Sequence, residues 1–414
     1  MSRTTDLPRT AVPQGVASFL PDLAARKRDV ESRVLTAFGR WGYREVVPPL
    51  FEYLDVLSQG LVPEMIERGY KLEDRQDGRL MVVSPDATAQ VARLAAARQD
   101  PADRPTRYGY ATNVFAHAEA HQGRPREVFQ VGAELLGAGG LEADLEIITL
   151  LMTVLRDLGI TGFSVAVGHS RYFRAILEAL ALSDEDNDTL TEAVFRKDVP
   201  AMRALLLSRG VDGAQVESIT RIPLLIGGTE VFATARDLTR CKGAHDALDH
   251  LEALVSGLSE RGMGEHVLVD LGEIRDLDYY TGIVFEVLVP GLGFDLGGGG
   301  RYDDLVGRFG HPMDAIGFAL DVERLIEART RCGIDDARSG VDYVVEGASA
   351  DAHRLAVRLR EQGLCAVAAL PGERADAVLR ATADGVVLVE KDRETAVSLD
   401  DLVSAKRKER RAVP

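Results

Sequence analysis

The sequence predicts an α+β fold: an antiparallel sheet flanked by helices, with a helical insertion and a small C-terminal α/β domain. Strand and helix patterns occur together over residues 8–169 and 243–330, which are expected to form the core. Residues 170–242 are rich in leucine and alanine and show several helical patterns with little strand signal, so they form the expected insertion. From 341 to 405, strands alternate with helices, as in a small α/β domain.

The first element is an amphipathic helix that runs from about Leu23 to Trp41. Its apolar stripe consists of Val30, Val34, Phe38 and Trp41. Gly42 is suited to end the helix, and the segment Tyr43–Pro49 reads as a short strand stopped by prolines. A proline-ended edge strand of this kind is common in proteins, so the pattern alone is a weak signal.

A second strand begins near Phe129, where apolar and polar residues alternate. Side chains of a strand alternate between its two faces, so one face is apolar and the other polar. The apolar face consists of Phe129, Val131, Ala133 and Leu135, and the polar face of Gln130, Gly132 and Glu134. The polar face therefore offers an amide, a gap and a carboxylate. An antiparallel strand with one solvated face explains the same pattern.

The following segments complete the expected core. A helix with an apolar face precedes Gly159, and residues 163–167 alternate as a strand. That helical face consists of Leu145, Ile148, Leu151, Met152 and Leu155. After the insertion we expect a helix at about 243–262, strands near 266–271 and 282–289, and a helix that starts near Asp321.

In the C-terminal domain the patterns predict three strands and two helices. The strands are expected at 341–345, 365–367 and 385–389, and the helices at 351–362 and 373–382. Residues 406–414 contain the one dense basic run of the chain and are expected to form a solvated, frayed tail.

Composition restricts the class of protein. A chain of 414 residues with 46% hydrophobic residues is long enough for two or three domains. Its three cysteines stand far apart, so we expect reduced thiols, no metal site and a cytoplasmic location. The N-terminus precedes no apolar signal-peptide region, and no apolar run reaches membrane-spanning length. The net charge of −16 opposes nucleic-acid binding, which depends on neutralising phosphates.

Residues 113–134 resemble motif 2, the ATP-binding hairpin of histidyl-tRNA synthetases, which are class II aminoacyl-tRNA synthetases. The family pattern Phe-Arg-x-Glu stands here as Phe115-Ala116-His117-Ala118. The resemblance implies that the arginine grips the α-phosphate and that the glutamate receives the adenine amino group. Because both positions are alanine, we expect no adenylate formation. The segment Leu23–Phe51 is similar to motif 1 and implies a homodimer.

Two further segments resemble the histidine-binding parts of that family. Residues 275–282, with the paired Tyr279 and Tyr280, are similar to a motif of these synthetases and their paralogues. Residues 84–88, Ser-Pro-Asp-Ala-Thr, match a family segment that receives the α-amino group, although such a turn is often only a helix cap. The histidine-binding residues that the resemblance implies are Asp86, Thr88, Gln130, Glu134, Arg275, Tyr279 and Tyr280.

A glycine run at 297–300 and the segment 317–325 resemble the strand before motif 3 and motif 3 itself. The glycine run alone is a weak phosphate-loop signal, because its spacing fits neither a P-loop nor a dinucleotide fingerprint. The resemblance implies a remnant of the phosphate site, which consists of Arg124, Arg126 and Arg324. Asp276 and Asp321 stand where the family has glycine, and their charge opposes a triphosphate.

The residues that bind histidine in this family are present here, whereas residues that bind ATP are replaced. This combination favours one branch of the family: the synthetase-like regulatory subunit of ATP phosphoribosyltransferase. The branch implies no catalysis and no cofactor. It also implies a homodimer within a hetero-oligomer, a short catalytic subunit as partner, and histidine as effector. Residues 364–390 contain no lysine and two arginines, unlike the basic surface expected of an anticodon binder. A divergent synthetase, another class II-like protein and a stand-alone histidine-binding module are the alternatives.

Overall fold

The computed structural model describes residues 10–98, 105–117, 125–273, 279–334, 341–370, 377–382, 385–390 and 393–412. The chain divides into two compact units. One holds the residues up to Ser18 together with Lys27–Cys332, and the other holds Phe19–Arg26 and the residues from Gly333 onward. The main division falls close to the expected end of the core at residue 330. Among the helices in the described ranges, none is long and apolar enough to cross a membrane.

The strands of the first unit form a large mixed sheet and a small one. They are β1 (Arg44–Glu45), β2 (Phe51–Tyr53), β3 (Lys71–Glu73), β4 (Leu80–Val83), β5 (Thr106–Phe115), β6 (Glu127–Leu136), β7 (Ser164–His169), β8 (Ile226–Gly227), β9 (Val267–Asp270), β10 (Ile283–Leu288), β11 (Gly297–Arg301) and β12 (Ala315–Asp321). The nine-stranded sheet has the order β1-β5-β6-β12-β11-β10-β7-β9-β8, and the small sheet has the order β2-β4-β3.

The six central strands, β5 to β7 in the sheet order, are antiparallel throughout, as predicted. The edges differ from the prediction, because β1 pairs parallel with β5 and β9 pairs parallel with β7. The predicted edge strand near Tyr43 is confirmed as β1, which has two residues. The small sheet was not foreseen, because its three- and four-residue strands carry too few residues for a clear alternation.

Helices cover the large sheet. They are α1 (Pro21–Arg40), α2 (Leu54–Leu57), α3 (Pro63–Arg68), α4 (Ala87–Ala97), α5 (Leu141–Asp157), α6 (Ser170–Leu180), α7 (Asp184–Phe195), α8 (Val199–Ser208), α9 (Gly213–Arg221), α10 (Glu230–Asp237), α11 (Lys242–Glu260), α12 (Leu305–Arg308) and α13 (Val322–Arg331). Short 3₁₀ helices occupy Ile222–Leu224 and Gly264–His266. The predicted helices α1, α5, α11 and α13 are therefore confirmed to within a few residues.

The main core lies between α1, α5 and one face of the sheet. The predicted apolar stripe of α1 is buried at Val30, Val34 and Phe38, whereas Trp41 is half-buried. Gly42 follows the helix with a φ of +82°, a conformation that favours glycine. The predicted apolar face of β6 packs in the same core, with Val131, Ala133 and Leu135 buried and Phe129 partly buried against it.

Residues 170–242 form the helices α6 to α10, as their composition predicts, together with the edge strand β8. The segment belongs to the first unit and shares its hydrophobic core. Tyr172 and Phe173 of α6 are buried there, and α6 packs against α11. In the structure the helical insertion is therefore joined to the sheet and does not form a unit of its own.

The second unit has a five-stranded sheet in the order β14-β13-β15-β16-β17. Its elements are β13 (Tyr343–Glu346), α14 (Ser349–Glu361), β14 (Ala366–Ala368), β15 (Ala377–Thr382), β16 (Gly385–Glu390), β17 (Arg393–Val397) and α15 (Leu399–Ala412). The predicted strands near 341–345, 365–367 and 385–389 and the helix at 351–362 are confirmed.

Two expectations for the second unit are wrong. Residues 377–382, expected as helix, form β15, which pairs parallel with β13 and antiparallel with β16. Alanine favours helix locally, but pairing on both sides and the full burial of Leu379 outweigh that preference. Of the frayed tail expected at 406–414, the described residues through Ala412 are helical, because they continue α15, which begins at Leu399 and buries Leu402 and Val403 in the core.

Candidate functional site

Two adjoining cavities open over the central strands of the large sheet. The first, here called the tyrosine cavity, has a volume of about 120 Å³. It is lined by Met65, Asp86, Thr88, Gln130, Tyr279, Tyr280, Gly298, Gly299, Tyr302, Gly317, Phe318 and Ala319. Five of the expected histidine-binding residues are therefore brought together from α4, β6 and the segment before β10.

The N-terminus of α4 forms one wall of the tyrosine cavity. The Asp86 carboxylate caps this helix and accepts hydrogen bonds from the backbone N–H groups of Thr88 (3.1 Å) and Ala89 (3.3 Å). The Thr88 hydroxyl donates to Glu134 Oε1 at 2.8 Å. Asp86 is thus both a helix cap and a wall residue of the cavity, so the two interpretations of the 84–88 turn are compatible.

Glu134 lies beneath the cavity and is fully buried, so its carboxyl does not form part of the lining. Besides Thr88, the hydroxyls of Tyr110 (3.3 Å) and Tyr302 donate to it. Burial raises the pKa of the Glu134 carboxyl to about 8, although the hydrogen bonds from these hydroxyls act in the opposite direction. Glu134 therefore organises the wall from behind. Its carboxyl is mostly protonated near neutral pH, and in that state one of the three hydroxyls accepts a hydrogen bond from it.

Glycines make room for this buried carboxyl. A Cβ atom at Gly317, which is paired with Glu134 across β12 and β6, would lie 1.5 Å from Glu134 Oε2. The gap expected at Gly132 is filled from within the protein, because a Cβ there would lie 2.4 Å from the Tyr110 hydroxyl. The Tyr110 ring therefore occupies the space beside Gly132, and no room for a ligand remains there.

Three tyrosines form the aromatic side of the cavity. The rings of Tyr279 and Tyr280 meet edge to face at 5.1 Å, and Tyr279 lies 5.7 Å from the Tyr302 ring. The Tyr279 hydroxyl is buried and has no hydrogen-bond partner among the described residues. Since a buried hydroxyl without a partner is costly, a ligand in the cavity with a polar atom near Tyr279 would remove that cost.

The second cavity, here called the acidic cavity, has a volume of about 350 Å³ and shares Gln130, Tyr280, Gly298, Gly299 and Ala319 with the first. Four carboxylates and one guanidinium occur among its described lining residues: Glu273, Glu286, Asp295, Asp321 and Arg324. Such a lining opposes a polyphosphate.

Arg324, expected in the phosphate remnant, does line the acidic cavity, but two carboxylates hold it. Its Nη1 donates to Asp295 Oδ1 at 3.0 Å, and its Nε lies 3.3 Å from Asp321 Oδ2. Asp321 also caps α13 through the backbone N–H groups of Glu323 and Arg324. Burial raises the pKa of the Asp321 carboxyl, and Arg324 opposes that rise. The acid at the family's glycine position thus has a structural partner.

The remaining expected residues lie elsewhere or outside the described ranges. Arg126 lines neither cavity, and its side chain packs against Gly15. Arg124 and Arg275, together with the lost motif position Ala118 and with Asp276, lie outside the described residues. Ala116 is described and hydrogen bonds through its backbone to Arg126 across the hairpin (3.1 Å).

Sequence reasoning missed three members of the site: Met65, Tyr110 and Tyr302. Tyr110 faces Gly132 across β5 and β6, so a strand partner for the hairpin would have been needed to find it. Met65 comes from the six-residue helix α3, which carries no distinctive pattern. In the described ranges, no three His, Cys, Asp or Glu side chains are placed to hold a metal ion.

Comparison with known proteins shows the family of the chain. Residues 15–325 match the family model described as histidyl-tRNA synthetase. An ATP phosphoribosyltransferase regulatory subunit from Geobacter metallireducens is 38% identical over 77% of this chain and 73% of its own length. Another protein of that name from Moorella thermoacetica is 37% identical over 91% and 97% of the two chains.

The chain belongs to the ATP phosphoribosyltransferase regulatory subunits of the histidyl-tRNA synthetase family. A crystal structure titled ATP phosphoribosyltransferase regulatory subunit/histidyl-tRNA synthetase from Bacillus halodurans is similar with a TM-score of 0.78 and 29% identity, covering 89% of this chain and 95% of that one. A histidyl-tRNA synthetase from a Nostoc species shares the fold, with a TM-score of 0.79 at 18% identity over 97% and 100% of the chains.

The protonated state of Glu134 makes the stability of this family member depend on pH. Because its pKa is about 8 in the folded protein and 4.5 ordinarily, the folded state holds one more proton between these values. The stabilisation from the protonated Glu134 carboxyl is complete below pH 4.5 and is lost as the pH rises to about 8. Relative to the wild type, Glu134→Gln should become more stable by up to about 1.4 kcal/mol per pH unit in that window.

Urea unfolding at about pH 5 and about pH 8 measures this difference. Glu146→Gln is the control: burial alone would raise the pKa of Glu146, but hydrogen bonds from Arg107 and Tyr43 hold that pKa below its ordinary value. Between about pH 5 and about pH 8 Glu146 is mostly ionised in both states, so its variant should nearly keep the wild-type slope. Parallel profiles for Glu134→Gln and the wild type would mean that Glu134 is ionised in the folded protein.

Proposed function

We propose that this chain is a non-catalytic regulatory subunit of ATP phosphoribosyltransferase, which catalyses the first step of histidine biosynthesis. In this proposal it binds histidine in the tyrosine cavity, forms a homodimer and assembles with a short catalytic subunit, whose activity requires it and whose histidine feedback it confers. Relatives of that name match over most of both chains. The observation that carries the proposal is the contrast between a polar, hydroxyl-lined tyrosine cavity and an acid-lined neighbour where a nucleotide would lie.

The tyrosine cavity offers groups for each part of a histidine molecule. The Asp86 carboxylate and the Thr88 and Gln130 side chains are acceptors for an ammonium group. The Tyr279 hydroxyl can bond an imidazole nitrogen, and the ring of Tyr280 provides a flat wall. Glu134 fixes the Thr88 and Tyr302 hydroxyls from behind. Arg275 remains the proposed partner of the carboxylate, by resemblance alone.

The part of the site that would bind ATP in a synthetase offers fewer suitable groups in this chain. Ala116 has no group for a phosphate, and Arg324 is held by Asp295 and Asp321. An ATP molecule would have to displace these carboxylates or lie beside them. Because an unfavourable field of this kind acts on each phosphate charge, binding of ATP in the acidic cavity is disfavoured.

The segment between β1 and β2 supports a homodimer. Val47, Leu50 and Phe51 are exposed there, with 79% of Val47 accessible. Large apolar side chains grouped on a surface are typical of a protein contact. The same segment contains the motif-1-like residues, which supports burial of this surface against a second copy of the chain.

The purified chain should not form histidyl-adenylate, because the phosphate arginine is absent at Ala116 and Arg324 is neutralised. Histidine-dependent exchange between ATP and pyrophosphate measures that reaction directly. Loss of one preorganised donor costs about 10²–10³ in rate, so exchange should lie far below that of a synthetase assayed beside it. Exchange at the rate of the synthetase would favour a divergent synthetase instead.

Tyr279→Phe should weaken histidine binding roughly 2- to 12-fold, since a hydrogen bond is worth about 0.5–1.5 kcal/mol. The ligand-free variant should be as stable as the wild type or more stable, because the removed hydroxyl has no partner in the described structure. Calorimetric titration and thermal unfolding report the two effects.

Tyr110→Phe is the matched control for this substitution. It removes a hydroxyl that bonds Glu134 beneath the cavity, so it should lower stability more than it lowers histidine affinity. Unchanged histidine affinity in Tyr279→Phe would place the effector site elsewhere, most plausibly at an interface between subunits.

Light scattering should give twice the mass of one chain for the wild type. Val47→Glu should shift the protein toward the monomer, because a buried carboxylate without a partner is costly at an apolar contact. Leu207→Glu, which changes an apolar residue of α8 that is 52% exposed, should leave the dimer intact. A dimeric Val47→Glu variant would place the interface on another surface, and a monomeric wild type would contradict the homodimer.

Added to the short catalytic subunit of the same organism, the chain should raise the rate of condensation of ATP with phosphoribosyl pyrophosphate. Histidine should then inhibit the complex, whereas the chain alone should be inactive. Feedback of this kind corresponds to about 1–3 kcal/mol of coupling, or roughly 5- to 150-fold in affinity. The same rate and histidine response with and without the chain, and no complex on size exclusion, would overturn the assignment.

A further inference from the structure

The turn 270–273 begins with Asp270, the last residue of β9, and ends with Glu273, which lines the acidic cavity together with Tyr280, a residue of both cavities. Parts of the chain that lie far away in sequence hold this turn closely. The Leu271 N–H donates to the Leu225 carbonyl at 3.1 Å, and Asp270 is paired with Ile226 of β8. The position of the turn is thus set by the helical insertion.

Glycines on both sides of the turn show how closely it packs. A Cβ atom at Gly272 would lie 2.8 Å from the Pro223 carbonyl oxygen, and one at Gly168 of β7 would lie 2.6 Å from the Asp270 carbonyl oxygen. Neither contact leaves room for a side chain. The turn is therefore enclosed between β7 and the segment 223–226. A small displacement of either neighbour would also shift the turn.

The Asp270 side chain completes this enclosure, and 11% of it is exposed. Its Oδ1 accepts the Gly272 N–H at 2.8 Å, which fixes the turn from within. Its Oδ2 lies 3.8 Å from Lys197 Nζ, in the corner between α7 and α8. Burial raises the pKa of Asp270, and the Lys197 ammonium opposes that rise. Lys197 thus favours the charged carboxylate that holds the turn.

The backbone at Lys197 is unusual for a lysine. Its φ is +55°, and in the described structure the one other non-glycine residue with positive φ is Ala181. A residue with a Cβ is strained in this region, where glycine is not. Strain that persists at one position often has a functional reason. The residue follows the C-cap of α7, where a left-handed conformation closes the helix, and a glycine there would lack the ammonium that lies near Asp270.

We propose that Lys197 is a positioning residue of the histidine site, which it serves through the Asp270 carboxylate and the 270–273 turn. The proposal rests on the proposed histidine binding and adds to it a tie between the tyrosine cavity and the helical insertion. Lys197 itself does not line the cavity. Its effect is on the placement of the turn, whose last residue, Glu273, lines the acidic cavity together with Tyr280.

Lys197→Gly removes the ammonium and also relieves the backbone strain. A loss of histidine affinity in this variant therefore cannot come from added strain. Hydrogen exchange at the Gly272 and Glu273 amides of the ligand-free protein should become faster, and histidine affinity should fall about 2- to 5-fold, the range of a partly exposed ion pair. Thermal stability should not fall. Lys197→Arg should restore both slow exchange and affinity, since it keeps the positive charge.

Ala181→Gly is the matched control, since it relieves the same kind of strain at a residue without a charged group. It should change neither exchange in the turn nor histidine affinity. Equal exchange and equal affinity in Lys197→Gly and the wild type would overturn the proposal. Faster exchange with unchanged affinity would reduce Lys197 to a structural contact and overturn its positioning role.

The two readouts also separate this proposal from the proposed function. A wild-type chain that binds no histidine on calorimetry would contradict the histidine site and, with it, the positioning role. Hydrogen exchange in that case still decides whether the ion pair fixes the turn, because it is measured without a ligand. A loss of affinity in Ala181→Gly equal to that in Lys197→Gly would indicate general loosening of the insertion and would likewise overturn the specific role of Lys197.

Discussion

The close approach of strands around β11 is the constraint on which the site depends. At each of the four glycines 297–300, a Cβ atom would lie 2.0–2.5 Å from a carbonyl oxygen of β10 or β12. No side chain fits there, so bare backbone forms the shared floor of both cavities. A glycine run that resembles a weak phosphate loop in sequence is therefore explained by packing between strands, and the open space above it is a consequence.

One floor supports two cavities of different chemistry. Above Gly298 and Gly299 the tyrosine cavity presents hydroxyls, an amide and the capping carboxylate of Asp86, with the protonated Glu134 beneath. The acidic cavity presents carboxylates around an arginine that they already bind. A small zwitterion is recognised through short-range hydrogen bonds, whereas a triphosphate depends on net positive charge. The proposed function therefore allows amino-acid recognition without nucleotide recognition, although the cavities share five lining residues.

Local sequence patterns correctly predicted those parts of the structure that depend on interactions between residues close in sequence. The alternation from Phe129 to Leu135 correctly placed apolar residues in the core and Gln130 at a cavity, because period-two alternation fixes the face of each side chain. What failed depended on distant partners. Glu134 is drawn beneath the cavity by hydroxyls from other elements, and the segment at 377–382 became a strand because two neighbours pair with it. Neither partner is visible in a window of ten or fifteen residues.

A strand of glycines cannot hold its own position through side chains, so its ends must do so. At one end Arg301 is buried, donates to Asp144 at 2.9 Å and 2.6 Å, and thereby ties β11 to α5. Before the other end, Asp295 receives Arg324 through both its side chain and its carbonyl oxygen, at 3.0 Å and 2.8 Å. The Asp295 carboxylate, which lines the acidic cavity, thus also anchors the strand beneath the cavities. Because Arg324 serves that anchor, its use for a phosphate would release the end of β11 and disturb the floor of the proposed histidine site.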